Sequence, residues 1–167
     1  MKEFNIPLKV QIKPFKHHKK LKSLILNGIN NQTDYEELVG SGNNITKVDW
    51  NTSRFRQDRP WVLDFINPLS EHMFEWFPDY GYNSFQIAEM WFQQYDKNSW
   101  HNWHVHGCNY TGVYYLDLPN DSSNTQYLDP GNFETIKEFV INEGDILLFP
   151  SIVVHRSPPN KSTERKT

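Results

Sequence analysis

From residue 85 onward the chain is a succession of short segments rich in aromatic and β-branched residues, at 85–95, 110–118, 125–128, 138–141 and 145–149. Turn formers separate them: Asp96-Lys97-Asn98, Pro119-Asn120-Asp121, Asp129-Pro130-Gly131 and Asn142-Glu143-Gly144. Strands this short bury little alone, so they make a core only by stacking into a sandwich or closing into a barrel. This pattern predicts that the second half of the chain is β-structure.

The first half reads differently. Residues 4–13 alternate apolar and polar side chains and predict a strand. Residues 16–29 place Leu21, Leu24, Ile25 and Leu26 at near-helical spacing, with Asn27-Gly28 as the expected stop and the basic stretch 16–22 as a solvated face. Residues 30–44 read as a polar loop with one short helix, and 45–50 as a strand. A second helix is expected over 60–77, with Pro60 in its first turn and Trp61, Phe65, Leu69, Phe74 and Trp76 on or near one side. Pro68 inside that stretch implies a kink or two short helices. His72 lies among polar neighbours and reads as a surface residue. The expected class is α+β, mainly β, in one domain over 1–167. Residues 1–84 form a strand-and-helix support and 85–167 a β core.

Composition narrows the function classes. A formal charge of −3 over 167 residues gives no footprint for a phosphate backbone, so no nucleic-acid partner is expected. No apolar run approaches the ~18 residues of a membrane span. The opening MKEFNIPLKV lacks the basic-then-apolar pattern of a leader, which sets a cytoplasmic expectation. One cysteine, Cys108, rules out an internal disulfide. Aromatic residues at 15 % are enough to fill a core and line a pocket.

The histidines carry the chemistry. His101, His104 and His106 fall within six residues. In an extended segment His104 and His106 project from one face, about 6.7 Å apart along the backbone, and can converge on one ion at about 2.1 Å. An H-x-H pair alone is a weak signal. A second segment, 144–155, runs from a Gly-Asp turn through an apolar strand and a bend at Pro150 to His155. Taken alone, His155 reads as a core histidine bonded to a carbonyl. Taken with the pair upstream it reads as a third ligand, and three ligands leave open positions as a catalytic metal site requires.

These residues resemble a known family. The stretch WHNWHVHGCNYTGVYYLDL at 100–118, the turn-strand-histidine segment 144–155 and Arg165 ten residues later are similar to the 2-oxoglutarate/Fe(II)-dependent dioxygenase superfamily, in a variant with H-x-H in place of H-x-D. The match spans 85–167, about half the chain. The resemblance implies a double-stranded β-helix core, of the jelly-roll and cupin-like kind, with N-terminal supporting helices. It implies Fe(II) and 2-oxoglutarate as cofactors, His104 as first ligand and His155 as the distal one. It also implies that Arg165 holds the far carboxylate of 2-oxoglutarate, helped by Tyr115 and by Thr167 in an R-x-S/T arrangement. Where the family places a carboxylate ligand this chain has His106, which leaves one more positive charge at the metal; His101 and Asp129 stand as alternatives.

The activity implied is hydroxylation of a small-molecule or peptide substrate with release of succinate and CO2. Trp91, Trp100, Trp103 and Tyr110 are candidates to line the substrate side. The G-x5-P-x4-H run also resembles a cupin half-motif, which would make the protein a keto-acid-independent dioxygenase or an isomerase, although Thr111 stands near where cupins carry a glutamate. A non-enzymatic β-sandwich is the third reading. Arg165→Ala is expected to separate the first two by its effect on 2-oxoglutarate binding. Nothing in residues 1–84 specifies the substrate, and nothing in the sequence sets the oligomeric state.

Overall fold

The computed structural model describes residues 8–167. In chain order the elements are β1 (Gln11–Pro14), α1 (His18–Asn30), β2 (Glu36–Gly40), β3 (Asn43–Val48), the single turn α2 (Trp50–Ser53), α3 (Pro60–Trp76), β4 (Gln93–Gln94), β5 (His101–His104), β6 (Tyr110–Tyr114), β7 (Gln126–Leu128), β8 (Ile136–Glu138), β9 (Asp145–Pro150) and β10 (His155–Ser157). They form three antiparallel sheets in the orders β1-β9-β6, β5-β10-β7-β8 and β2-β3-β4.

β9 organises the molecule. Because successive side chains of a strand point to opposite faces, this central strand, buried from Asp145 to Phe149, divides the core in two. Ile146 and Leu148 face a helical layer made of Leu21, Ile25 and Ile29 from α1 and Trp61, Phe65 and Trp76 from α3. Leu147 and Phe149 face the other way, into a cluster with Tyr115, Phe139, Ile141 and Val153. This second side is the jelly-roll interior, and the candidate site lies on it. β1 lies beside β9, so the N-terminal part of the chain also supplies a strand to the jelly roll.

Several local readings are corrected. α1 runs through Asn27-Gly28 to Asn30. Gly28 serves helix contact, since a Cβ there would come within 2.9 Å of Trp61 Cβ. α3 is one helix with Pro68 inside it; burial of Trp61, Val62, Phe65, Met73 and Trp76 outweighs the ~3 kcal/mol that an interior proline costs. Residues 30–44, expected as loop and short helix, contain β2 and the start of β3, a hairpin turning through Ser41 and Gly42 at positive φ. Of the expected 4–13 strand, residues 4–7 lie outside the described residues, 8–10 are not strand, and the strand that forms is β1 at Gln11–Pro14.

The segment 85–95 is a strand only at Gln93–Gln94. Side chains hold the stretch before it. Asp49 accepts the Phe92 N–H at 2.9 Å and pairs with Arg59, and Arg59 donates to the Met90 carbonyl at 2.6 Å. This buried ion pair gives residues 90–92 the backbone partners that a neighbouring strand would supply.

His72 is buried, 7 % exposed, with its ring edge-on to Phe15 and Trp76 and no partner for either ring nitrogen among the described residues. Burial holds its pKa below the ordinary histidine value. Lys16, Lys13 and His17 push the same way, and Glu75 opposes them. Folding therefore excludes a proton that the unfolded chain takes up near pH 6.5. Stability is full above that pH and falls as pH drops below it. Replacing His72 with Leu should remove this part of the acid sensitivity in denaturation curves at pH 5 and 7.5. An unchanged difference between the two curves would count against it.

Candidate metal centre

β10 is three residues long, and its position between β5 and β7 makes the site. His155 is in register with His104 on one side and Tyr127 on the other. Residues directly opposite in antiparallel strands point to the same face, so the two imidazoles meet, with ring centroids 4.2 Å apart. His106 follows β5. Its N–H donates to the Ser151 carbonyl at 3.1 Å, and its ring lies 5.0 Å from His104 and 5.2 Å from His155. One ring nitrogen from each of the three can be chosen so that all lie within 4.8 Å of one another. Phe149 packs edge-on against His155 at 4.7 Å, and Trp91 lies 5.5 Å from His106.

The hydrogen bonds fit these rings to a metal. His104 Nδ1 donates to the Asn102 carbonyl at 2.6 Å and His155 Nδ1 donates to the Val153 carbonyl at 2.9 Å. A carbonyl can only accept. Both protons therefore sit on Nδ1, and both Nε2 atoms present lone pairs, as carbonyls behind histidine ligands commonly arrange. Burial pushes the pKa of His155 down to about 3 and that of His106 to about 4, and lowers His104 as well. All three are neutral at pH 7, the form that ligates. Three ligand atoms at about 2.1 Å from one ion stand about 3.0–3.4 Å apart, so binding requires a modest inward movement of the rings.

The two alternative ligands lie outside this group. Asp129 caps the β7–β8 turn, paired with Lys137 at 2.5 Å and accepting the Gly131 N–H. His101 stacks on His104, with centroids 3.8 Å apart, and its Nδ1 is engaged by Gln93.

The cations at 165 and 166 are separated by side. Lys166 bridges Tyr95 in an antiparallel pair, so those two side chains share the inner face while Arg165 and Thr167 take the other. Arg165 is exposed and pairs with Asp96 at 2.6 Å. Thr167 accepts from Gln94 at 3.2 Å. Both line a cavity of about 390 Å³ with Asn30, Lys47 and Gln94, and no histidine borders it. Lys166 is 5 % exposed and donates to the Ser123 carbonyl at 3.0 Å and to Ser157 Oγ at 2.8 Å, with its ammonium 4.7 Å above the Tyr95 ring. It has no carboxylate partner among the described residues, and burial pulls its pKa down to about 8. Ser157 lies two residues past His155. Tyr115 is inward and buried, its hydroxyl 2.6 Å from Thr125 Oγ1.

Of the four candidate lining residues, Trp91 is the one at the centre. The Trp100 indole donates to the Gly42 carbonyl, Trp103 lies under the Arg156 guanidinium, and Tyr110 packs with Tyr80 and Tyr82.

No family model matches the chain, and no curated protein sequence matches it. Solved structures do. A Pseudomonas putida prolyl-4-hydroxylase superposes with a TM-score of 0.67 at 11 % identity, covering 94 % of this chain and 87 % of that one. A Trichoplax adhaerens prolyl hydroxylase, solved with a peptide fragment of the hypoxia inducible factor oxygen degradation domain, gives 0.64 at 14 %, covering 94 % and 79 %. AviO1 from Streptomyces viridochromogenes gives 0.66 at 12 %, covering 92 % and 83 %. The chain has the prolyl hydroxylase fold. The double-stranded β-helix expected from the resemblance is therefore correct, as are the helices supporting it. Within this fold the three histidines lie together on the jelly-roll side of β9. No described helix is long and apolar enough to cross a membrane.

Proposed function

We propose that the protein is a non-haem Fe(II)- and 2-oxoglutarate-dependent oxygenase that hydroxylates a small-molecule or peptide substrate. The observation that carries this reading is a set of three neutral imidazoles gathered on the jelly-roll side of β9, together with a buried ammonium, Lys166, that is bonded to Ser157 of β10 and has no carboxylate partner among the described residues. The overall reaction balances as substrate C–H, 2-oxoglutarate and O2 going to substrate C–OH, succinate and CO2. Fe(II), when bound, supplies chelation of the keto acid and activation of O2.

The chain's own residues would do the rest. His104, His106 and His155 hold the metal. Lys166, with Ser157 and Tyr115 nearby, holds the far carboxylate of 2-oxoglutarate, and Arg165 and Thr167 stay outside. Buried carboxylate recognition needs a charge-assisted donor, and Lys166 has a third N–H left after its two hydrogen bonds. Phe149 and Trp91 limit water at the histidines. Peptide substrates deserve the first trial, because one structure of similar fold is solved with a peptide fragment.

The test is O2 uptake and succinate release by Fe(II)-loaded protein. Both should require 2-oxoglutarate and continue slowly without substrate. O2 uptake indifferent to the keto acid would instead favour the cupin-like reading, a keto-acid-independent dioxygenase.

A further inference from the structure

We propose that His101 is a hydrogen-bond donor beside the metal centre, fixed in its Nε2–H tautomer by Gln93, and that it orients an oxygen ligand such as the carboxylate or keto oxygen of 2-oxoglutarate. This rests on the reading of His104, His106 and His155 as metal ligands.

The argument follows the direction of the hydrogen bonds. An ammonium donates and never accepts, so Ser157 Oγ accepts from Lys166. The Ser157 hydroxyl is then free to donate to the neighbouring Tyr95 phenol. Tyr95 donates to Gln93 Oε1 at 2.5 Å, and the Gln93 amide nitrogen donates to His101 Nδ1 at 3.2 Å. A neutral imidazole that accepts at Nδ1 carries its proton on Nε2. His104 and His155 have the opposite arrangement, with carbonyls at Nδ1. Histidines three residues apart are thus held in different tautomers, one set to ligate and one set to donate.

The placement suits that role. The His101 ring lies nearly parallel over His104, 20° between planes, and within electrostatic reach of His106 and His155. Gln93 is its one hydrogen-bond partner among the described residues, and Nε2 is not a buried orphan, so its N–H is free to exchange water for an acceptor bound at the metal. A metal held by three neutral imidazoles has no anionic protein ligand, so its remaining positions favour an anionic oxygen donor. Such a ligand is an acceptor for this N–H.

Histidine-labelled, metal-free protein tests the tautomer directly by long-range proton–nitrogen correlation. His101 should show a protonated Nε2, and His104 and His155 a protonated Nδ1. Gln93→Glu should reverse His101, because a carboxylate accepts from Nδ1–H. The Co²⁺-loaded protein then tests the role by titration with 2-oxoglutarate. His101→Phe should weaken 2-oxoglutarate by about tenfold, the worth of one charge-assisted bond, with Co²⁺ affinity nearly unchanged. His101→Gln should recover much of the loss, since its amide nitrogen falls near the Nε2 position. A protonated Nδ1 in the native protein, or an unchanged 2-oxoglutarate affinity in His101→Phe, overturns this inference alone. Failure of the native protein to take up Co²⁺ overturns the reading of the metal centre as well.

Discussion

Lys166→Met should abolish measurable 2-oxoglutarate binding to the metal-loaded protein, while Arg165→Ala should leave it within about twofold, as for an exposed pair of small worth. The difference follows from which face each residue takes in the Tyr95–Lys166 pair. Lys166 is inside and has no carboxylate partner among the described residues, whereas Arg165 is exposed and already spends its charge on Asp96. Removing a buried charged partner of a carboxylate costs about 2–5 kcal/mol, or roughly 30- to 5,000-fold in affinity.

The same lysine predicts a pH dependence. Its pKa in the free protein is pulled down to about 8, so the cation is present below that pH and lost above it. Affinity for the dianion should therefore fall by up to about tenfold per pH unit as pH rises past 8. Stability should move the other way from binding. Lys166→Met removes a buried charge that no acid among the described residues offsets, so its melting temperature should be equal or higher. Calorimetric titration of both variants decides the matter; loss of binding in Arg165→Ala with retention in Lys166→Met would return the role to the exposed residue.

His155→Ala should lose metal uptake. Removing an outer-shell partner of a ligand costs about 10–100-fold in affinity, and removing a ligand costs more. His155 is central to the geometry because it stands opposite His104 in register and its ring packs on Phe149. His106→Asp is the informative partner experiment. It restores an anionic ligand at a position that is half-buried and not part of a strand, so metal should still bind. Absorption of the Co²⁺-loaded proteins gives the readout: near-native ligand-field bands for His106→Asp and none for His155→Ala. Equal uptake by the native protein and His155→Ala would mean that the metal sits elsewhere.

Much of this was legible because the signals were local. β9 announced itself as an apolar run after a Gly-Asp turn, and Gly144 does take positive φ there, close against His18. The three histidines were visible as a close pair and a distal partner. His72 was misread from its immediate neighbours in sequence. Its neighbours on the helix, Phe65, Leu69 and Trp76, mark the apolar stripe on which it lies. The aromatic and β-branched content of 85–95 suggested a strand, but the partners of the backbone at 90–92 are the side chains of Asp49 and Arg59 and the Arg54 carbonyl, some thirty to forty residues away. The choice between Arg165 and Lys166 could not be read locally at all. A spacing of about ten residues does not fix parity, and a one-residue slip turns a side chain from one face to the other. Parity here is set by Tyr95, seventy residues earlier.

The segment carrying Trp91 hangs from two side chains and a single backbone bond, Met90 N–H to the Arg54 carbonyl, and not from a ladder of strand bonds. Its sequence can therefore diverge without rewriting any pairing in the barrel, provided Asp49 and Arg59 keep their grip. If the proposed oxygenase reading holds, that makes it the natural place to change the substrate while leaving the metal centre alone.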